Sequence, residues 1–247
     1  MVNWPSGTDR ILYESLDSTM DEAARLSATL NRPAWILARQ QTKGRGRRGR
    51  AWLQASGNFS ATLIFAPGGP IAGFAQRSFV AALALRDALI AVGVSDTALS
   101  LKWPNDVLLN GAKVAGILLE THGDKLAIGF GVNLSHAPDL SEVEATSVPP
   151  VSLVGETAIA TTPEAFLDLL AAAFARHEAA MQSGGFSAIR ANWLSHAARL
   201  GEVVTARLGP EVIEGIFETV DETGELVLST ARGRQRIAAA DVFFTGG

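Results

Sequence analysis

The stretch Gly44–Arg50, with the sequence GRGRRGR, decides how this chain can be interpreted, because it lies between two apolar segments and not in a tail. The segment 34–38 (AWILA) precedes it, and Trp52 follows it. Glycine allows positive φ and close approach to a ligand, and the planar guanidinium of arginine matches carboxylate and phosphate. The alternative interpretation of this basic cluster is a flexible loop in solvent that binds no ligand. The position between two candidate strands favours a loop that closes over a small anion.

The composition restricts the class of protein. The 247 residues, 47% of them hydrophobic, suffice for one large domain or two. The absence of cysteine excludes disulfides and thiolate metal sites, and the four histidines form no H-x-x-x-H pair. The net charge of -4 argues against general nucleic-acid binding. No apolar run reaches the ~18 residues of a membrane span, and the start of the chain lacks a secretory signal pattern. We therefore expect a cytoplasmic protein with no membrane partner.

Hydrophobic periodicity predicts alternating strands and helices over residues 1–199. Strands are predicted at 11–13, 36–41, 60–65, 99–103 and 126–132, and helices at 74–92, 163–181 and 186–198. Thr19 and Glu22 form a candidate capping box for an earlier helix. Asn110-Gly111, between the apolar segments 107–109 and 114–119, is the strongest short hairpin signal. Residues 137–150 are predicted to form a loop.

The pattern changes after Leu200. Short strand-like segments occur at 203–208, 212–220, 226–229 and 235–238, separated by turn residues such as Gly209-Pro210. About fifty residues of short strands are typical of a small barrel appended to an α/β domain. The predicted domains are therefore residues 1–199 and residues 200–247.

Two lysine-containing motifs are candidates for binding an anion. In the segment 102–106 (KWPND), proline bars a regular strand, which predicts a bend. Asn105 and Asp106 are either turn formers or oxygen ligands that face a Mg²⁺–nucleotide. Lys113 begins the segment 113–118 (KVAGIL), where a lysine after a hairpin turn is ordinarily solvated. Gly116 inside this apolar strand indicates that something approaches closely, so Lys113 is placed to neutralise an anion.

Two further motifs carry weaker signals. Ser18 and Thr19 precede a helix, where capping is the ordinary explanation, although their hydroxyls also suit a polar ligand at the helix N-terminus. The segment 129–133 (GFGVN) is either a strand that ends in a turn or a strand whose alternate glycines leave one face bare for a flat ligand ring.

Taken in this order, these motifs resemble those of the biotin protein ligases, which attach biotin to the carrier domains of carboxylases. The residues that carry the resemblance are Asp17-Ser18-Thr19, Gln41, Gly44–Arg50, Trp52, Lys102–Asp106, Lys113–Leu118 and Gly129–Asn133. The resemblance extends from about residue 10 to the C-terminus, and the combination of GRGRRGR with KWPND at this separation is its most specific part.

The resemblance implies a fold and a reaction. The implied fold is an α/β domain, with a mixed sheet and flanking helices like those of class II aminoacyl-tRNA synthetases, followed by a small C-terminal SH3-like β-barrel. In the implied reaction, the biotin carboxylate attacks the α-phosphate of ATP to give biotinyl-5′-AMP, and a lysine of the acceptor then attacks the mixed anhydride. Fixed cations and Mg²⁺ can lower both barriers without a protein nucleophile.

The resemblance also assigns site residues. The biotin site comprises Ser18, Thr19, Gln41, Arg45, Gly46, Arg47, Lys113 and Gly116. The ATP site comprises Arg48, Arg50, Trp52, Asn105, Asp106 and Asn133, with Trp52 stacked on adenine and Asp106 as a Mg²⁺ ligand. Lys113, between the biotin carboxylate and the α-phosphate, is the expected main catalytic cation, and Arg45 and Arg47 act with it.

This chain departs from the family pattern at three points. Met20 stands where many members have asparagine, and Lys43 stands where a small residue is common. The pattern begins almost at residue 10, which predicts a short form without the winged-helix DNA-binding domain of some members. The implied partner is therefore a carboxylase carrier domain and not DNA. A homodimer is left open, because dimerisation varies among members.

Two other functions stay open at this point. A ligase for lipoate or octanoate would share the motifs and differ in the selectivity of its pocket. A nucleic-acid-binding protein would use the Arg/Gly loop, and its affinity would fall steeply with salt. The net acidity and the lack of a helix-turn-helix pattern argue against that second alternative.

Overall fold

A computed structural model of the protein describes residues 3–143 and 148–244. Seven strands form a first sheet: β1 (Asp9–Leu16), β2 (Ala34–Gln41), β3 (Phe59–Phe65), β4 (Leu99–Lys102), β5 (Asp106–Leu109), β6 (Ala112–His122) and β7 (Lys125–Val132). Four α-helices accompany it: α1 (Thr19–Leu26), α2 (Arg77–Ala91), α3 (Leu153–Thr157) and α4 (Pro163–Leu194). Five strands form a second sheet: β8 (Val203–Leu208), β9 (Glu211–Val220), β10 (Leu226–Thr230), β11 (Gly233–Ile237) and β12 (Asp241–Phe244).

The first sheet is mixed, which confirms the predicted α/β class. Its strand order is β1-β2-β3-β7-β6-β5-β4, and only β1 and β2 run parallel. The predicted hairpin at Asn110-Gly111 is confirmed, because both residues have positive φ, of 51° and 81°, as a two-residue type I′ turn requires. The likeness to class II synthetases stays a prediction.

The two faces of this sheet are covered differently. Helices α2 and α4 lie on one face, and the large core between them and the sheet includes Trp35, Phe130 and Phe174. Helix α1 lies on the other face with a smaller cluster that includes Met20 and Ile36. Since α1 is only eight residues long, it leaves part of its face uncovered, and the candidate site lies there.

Three helix predictions need adjustment. The N-cap of α1 is Ser18 and not Thr19, because the Ser18 side chain accepts a hydrogen bond from the Asp21 backbone N–H. The helix predicted to begin at residue 74 begins as α-helix at Arg77, after a 3₁₀ segment Ile71–Gln76. The predicted division into two C-terminal helices is present within α4, whose helical geometry breaks at Gly185 (φ 70°), but the second helix ends at Leu194 and not at residue 198. Four residues of the loop predicted at 137–150, residues 144–147, lie outside the described residues.

The second sheet is antiparallel, with the order β11-β10-β9-β8-β12. Strand β12, which the periodicity did not predict, pairs with β8, and β11 pairs with β10. Within the described ranges no pairing joins β11 to β12, so the predicted barrel is corrected to an open five-stranded sheet.

The two sheets are linked by continuous apolar packing. One buried cluster contains Phe79 of α2, Phe186 of α4 and Phe217 of β9. Trp103, after β4, donates its indole N–H to the Gly224 carbonyl at 3.1 Å. The domain boundary at residues 199 and 200 stays a prediction. Among the described helices, none combines the length and the apolarity needed to cross a bilayer.

Candidate active site

A cavity of about 440 Å³ opens on the α1 side of the first sheet. Its walls come from the start of α1, the Arg/Gly loop, strands β3 to β7 and strand β12. Thirteen of the fourteen predicted site residues line it: Ser18, Thr19, Gln41, Arg45, Gly46, Arg47, Arg50, Trp52, Asn105, Asp106, Lys113, Gly116 and Asn133. The exception is Arg48. The structure therefore brings distant motifs to one place, and the role of each residue stays a prediction.

The floor of the cavity is a row of small residues across three strands. Ser60 of β3 pairs with Gly131 of β7, and Gly131 pairs with Gly116 of β6. The indole of Trp52 lies directly on this row, since a Cβ at Gly131 would stand 2.3 Å from Trp52 Cε2 and one at Gly116 would stand 3.3 Å from Cζ3. The row is bare because the indole occupies the space where side chains would lie.

Gly129, two residues before Gly131 on the same face of β7, is covered by a second side chain. A Cβ at Gly129 would stand 2.8 Å from Sδ of Met20, which is 3% exposed. The alternate glycines of β7 were interpreted as a bare face for a ligand ring. Instead, Met20 and Trp52 cover that face, so a ligand would contact these two side chains and not the glycine backbone. With one indole face on the sheet, only the opposite face of Trp52 stays available for the predicted stacking on adenine.

The start of α1 forms the neutral polar end of the cavity. Gln41 Oε1 accepts hydrogen bonds from the Thr19 backbone N–H at 2.8 Å and from its hydroxyl at 3.0 Å. Thr19 Oγ1 accepts in turn from the Thr62 hydroxyl at 2.8 Å. Because Thr19 donates its proton to Gln41, it is a weaker candidate donor to a ligand than Ser18. The Ser18 oxygen accepts from Asp21 N–H, which leaves its own O–H to donate.

Glycines determine the shape of the Arg/Gly loop. Arg48 and Gly49 have positive φ, of 56° and 73°, and the Gly46 N–H donates to the Arg50 carbonyl at 2.7 Å. Gly44 is needed for close approach, since a Cβ there would stand 2.7 Å from the Trp52 carbonyl oxygen. Arg48 adopts a left-handed conformation that costs a non-glycine residue about 1–2 kcal/mol.

Each arginine of the loop has acidic or carbonyl partners from distant elements. Arg45 pairs with Asp21 of α1 at 2.8 Å and with Glu120 of β6. These contacts raise the pKa of the Arg45 guanidinium above its usual range, and the hydrogen bond with Glu120 has the largest effect. Arg48 and Arg50 both reach Asp241 of β12, at 2.6 and 2.5 Å.

Arg47 lies deeper than the other loop arginines. Its Nη1 donates to Asn105 Oδ1 at 3.3 Å and to the Ala240 carbonyl at 3.4 Å. Burial lowers the pKa of this guanidinium, partly opposed by the negative charge of Asp241. The two hydrogen bonds hold this guanidinium in the wall of the cavity.

The hairpin after β5 brings two predicted residues together. Strand β6 folds back on β5, so that Lys113 Nζ lies 2.7 Å from Asp106 Oδ1. Lys102, at the end of β4, approaches the other carboxylate oxygen at 3.5 Å. Burial raises the pKa of the Asp106 carboxyl, but Lys113 and Lys102 outweigh it, and the pKa stays below its ordinary value.

These contacts do not suit a magnesium site on the protein. Both oxygens of Asp106 face ammonium groups, which repel a cation, and Asn105 Oδ1 accepts from Arg47. Across residues 3–143 and 148–244, no group of three histidine or acidic side chains could hold a metal ion. The side chains present at this position therefore do not fit a protein-bound Mg²⁺.

Asn133 has a structural contact in addition to its place in the wall. Its amide donates to the Val151 carbonyl at 3.1 Å and so holds the segment that follows residue 148. Its Oδ1 is buried without a hydrogen-bond partner among the described residues.

Several residues that the sequence interpretation did not assign belong to the site. They are Met20, Asp21, Ser60, Lys102, Glu120 and Asp241. For Glu120 a signal existed, because alternation along β6 places it on the same face as Gly116. For Asp241, the apolar residues 242–244 that follow it could have indicated a strand.

Comparison with known proteins gives a consistent result. Residues 12–134 match the Biotin/lipoate A/B protein ligase family, and residues 200–245 match the biotin protein ligase C-terminal domain. A biotin--[acetyl-CoA-carboxylase] ligase of Paracoccus denitrificans is 54% identical over 236 residues, which cover 93% of this chain and 98% of that protein. The bifunctional ligase/repressor BirA of Bacillus subtilis is 29% identical over 96% of this chain and 74% of its own length. The structure of the Aquifex aeolicus biotin protein ligase with biotin and ATP has a TM-score of 0.81 at 26% identity, covering 95% of this chain and 97% of that one.

Proposed function

This chain belongs to the biotin protein ligase family, and on that premise we propose that it activates biotin with ATP and transfers it to a lysine of a carboxylase carrier domain. The observation that supports this best is the combination of chemical groups in the cavity. Ser18 and Gln41 supply neutral polar groups at the start of α1, Met20 and Trp52 cover the glycines of the sheet, and the ammonium of Lys113 lies beside Trp52 and Asp106. Biotin has matching parts, with a polar ring system, an apolar chain and a carboxylate.

In the first step, a biotin carboxylate oxygen attacks the α-phosphorus of ATP and pyrophosphate leaves. Carboxylate and phosphate repel each other, so a fixed cation between them lowers the barrier. Lys113 is our candidate for this cation, since its ammonium lines the cavity beside Trp52, 5.9 Å from the ring centre. Arg47 and Arg50, which line the cavity, are the candidates for holding the phosphates, while the role of Arg48 rests on the sequence resemblance alone.

In the second step, the acceptor lysine amine attacks the carbonyl carbon of the mixed anhydride, and AMP leaves with the bonding electron pair. The protein holds the anhydride in place and excludes water from it. The cavity walls of Met20 and Trp52 and the Arg/Gly loop are the candidates for this exclusion. No protein nucleophile is required in either step.

Five narrower points accompany this proposal. Mg²⁺ enters with ATP and not on a protein site, as the contacts of Asp106 support. The acceptor is the carrier domain of acetyl-CoA carboxylase or of a related carboxylase, as the name of the Paracoccus relative suggests. A cytoplasmic location and the absence of DNA binding rest on the amino-acid sequence alone. Formation of a homodimer is left open, and light scattering with and without biotin and MgATP measures it.

The test is incubation with biotin, MgATP and an apo carrier domain. We expect label on one acceptor lysine and, without the acceptor, release of about one equivalent of pyrophosphate as the adenylate forms. The Lys113→Ala variant is the control. Its adenylation should fall by orders of magnitude while its melting temperature changes little, because Asp106 keeps Lys102 as a partner.

Two results would contradict the proposal. The first is the absence of both labelling and biotin binding. The second is a preference for lipoate or octanoate over biotin in competition, which would reassign the substrate within the same family. Normal adenylation by Lys113→Ala would remove only the role of that lysine.

A further inference from the structure

Lys102 is a buried lysine of the candidate active site with no assigned part in either step of the reaction. Its side chain is 9% exposed and lines the cavity. It stands opposite Asp106 in the register of β4 and β5, and its Nζ lies 3.5 Å from Asp106 Oδ2. On another side it faces the ring of Phe244 in β12, with the centre at 5.7 Å. Burial lowers the pKa of this ammonium, and Asp106 opposes that effect.

Asp106 is thus shared by two lysines that differ in exposure. Lys113 lies on its other oxygen at 2.7 Å and is 30% exposed. Asp106 itself is 12% exposed. All three side chains line the cavity, and Lys113 is the most exposed of them, while Lys102 and Asp106 form the buried part of the group.

The reaction creates a conflict for Lys113. Its ammonium pairs with Asp106, yet the proposed chemistry requires it between a carboxylate and a phosphate. When the Lys113 ammonium moves onto the substrate, the buried Asp106 carboxylate loses this positive partner. A buried carboxylate without a partner is strongly unfavourable. Some other cation must keep Asp106 paired while Lys113 moves.

We propose that Lys102 is a positioning residue, which retains Asp106 as its ion-pair partner while Lys113 transfers from Asp106 to the anionic oxygens of biotin and ATP. This inference rests on the proposed function. Lys102 acts through Asp106 and does not touch the substrate. Without Lys102, the attraction of an otherwise unpaired buried carboxylate holds Lys113 back.

The double-mutant cycle of Lys102 and Asp106 tests this. The variants are Lys102→Met, Asp106→Asn and the combination, with Lys102→Arg as the variant that keeps the charge. Exchange of labelled pyrophosphate into ATP, with biotin and without acceptor, gives kcat and KM of the adenylation step, and calorimetry gives biotin affinity. Wild-type adenylation is measured first, because its absence would contradict the proposed function and not this inference.

We expect Lys102→Met to lower kcat about tenfold or more while the Kd for biotin changes less than about threefold, within the range of coupling between charges in contact. Adding Asp106→Asn should recover at least about fivefold of that loss, since no buried charge then needs a partner. Lys102→Arg should retain most of the wild-type rate.

Two outcomes would overturn the inference. One is an unchanged rate in Lys102→Met. The other is a loss that Asp106→Asn does not recover, together with a raised KM for ATP, which would mean that Lys102 contacts the nucleotide directly. If Lys102→Met does not fold, the combined variant is compared with Asp106→Asn alone. Rates within about twofold of each other would support the inference, and a larger loss in the combined variant would overturn it.

Discussion

At the scale of single residues, the active site depends on positions without a side chain as much as on charged ones. Gly131 and Gly116 provide the surface on which Trp52 lies, and Gly129 does the same for Met20. The sequence indicated a close approach at Gly116 and a bare face for a ligand ring at Gly129 and Gly131. What approaches them is a side chain of the protein itself, which then forms the wall that a ligand would meet.

This arrangement leads to a prediction for Gly131→Ala. The new Cβ would stand 2.3 Å from the Trp52 indole, so the indole must leave its place. We expect a loss of about 1–3 kcal/mol in the free energy of unfolding and at least about tenfold weaker biotin binding, equal to ~1.4 kcal/mol. Urea unfolding and calorimetry measure the two effects.

Gly184→Ala is the matched control for this substitution. Gly184 lies in α4, where the nearest atom to a new Cβ is the Ala188 Cβ at 3.9 Å. Alanine in a helix is favoured over glycine by about 0.5–1 kcal/mol, so this variant should be as stable as the wild type or more stable. Equal biotin affinity in the two variants would contradict the role assigned to the Gly131 surface.

At the scale of elements, the Arg/Gly loop is held by parts of the protein that are far away in sequence. Its ends pair as an isolated bridge between Arg45 and Ala51, and its arginines reach β6, α1 and β12. Asp241 of β12 contacts both Arg48 and Arg50, and its own side chain is 13% exposed. The second sheet therefore contributes directly to the position of the loop.

The Asp241→Asn variant tests this contribution. Removing the carboxylate charge weakens two charge-assisted hydrogen bonds, each ordinarily worth about 1.5–3 kcal/mol and less here because both arginines are more than 40% exposed. We expect amide hydrogen exchange over residues 45–51 to become about fivefold faster. Glu218→Gln, which removes the partner of Arg234 on the same sheet, should leave that exchange unchanged. Equal exchange in the two variants would contradict the anchoring role of Asp241.

At the scale of the whole molecule, the helical layer behind the sheet contains a buried ion pair. Arg77 of α2 and Glu178 of α4 are each 9% exposed, with Arg77 Nη2 3.1 Å from Glu178 Oε1. Glu178 also accepts from Gln182 at 3.3 Å. Because α2 and α4 pack against each other behind the sheet that carries the site, this pair fixes their relative position.

Breaking the pair should destabilise the whole protein. Arg77→Met leaves a buried carboxylate, which ordinarily costs about 3–5 kcal/mol of unfolding free energy. Arg77→Met combined with Glu178→Leu should restore much of that loss, since no charge is then buried alone. Arg32→Gln is the exposed control, with its Asp9 partner on the surface, and should change stability by less than about 1 kcal/mol. Urea unfolding that gives the same loss for Arg77→Met and Arg32→Gln would contradict this account.

Local sequence patterns predicted most elements of the fold. Strand β8 was predicted with its observed bounds, and the hairpin at Asn110-Gly111 was confirmed, because both depend on φ preferences and periodicity within a few residues. The N-cap of α1 was placed one residue too late, because Ser18 and Thr19 offer the same hydroxyl chemistry. Strand β12 was missed, although its apolar residues 242–244 could have indicated it.

By itself the sequence determined the family, the α/β class and a set of motif residues, thirteen of which line one cavity. These depend on residue type and short spacing, which the chain carries locally. Only the tertiary structure decided which charges meet. Arg48 and Asp241 are separated by 193 positions, and Arg45 and Glu120 by 75, and no local preference can specify such pairs. The same holds for Trp52 and Met20 on the glycines of the sheet, because packing across several strands determines which side chain fills an empty position.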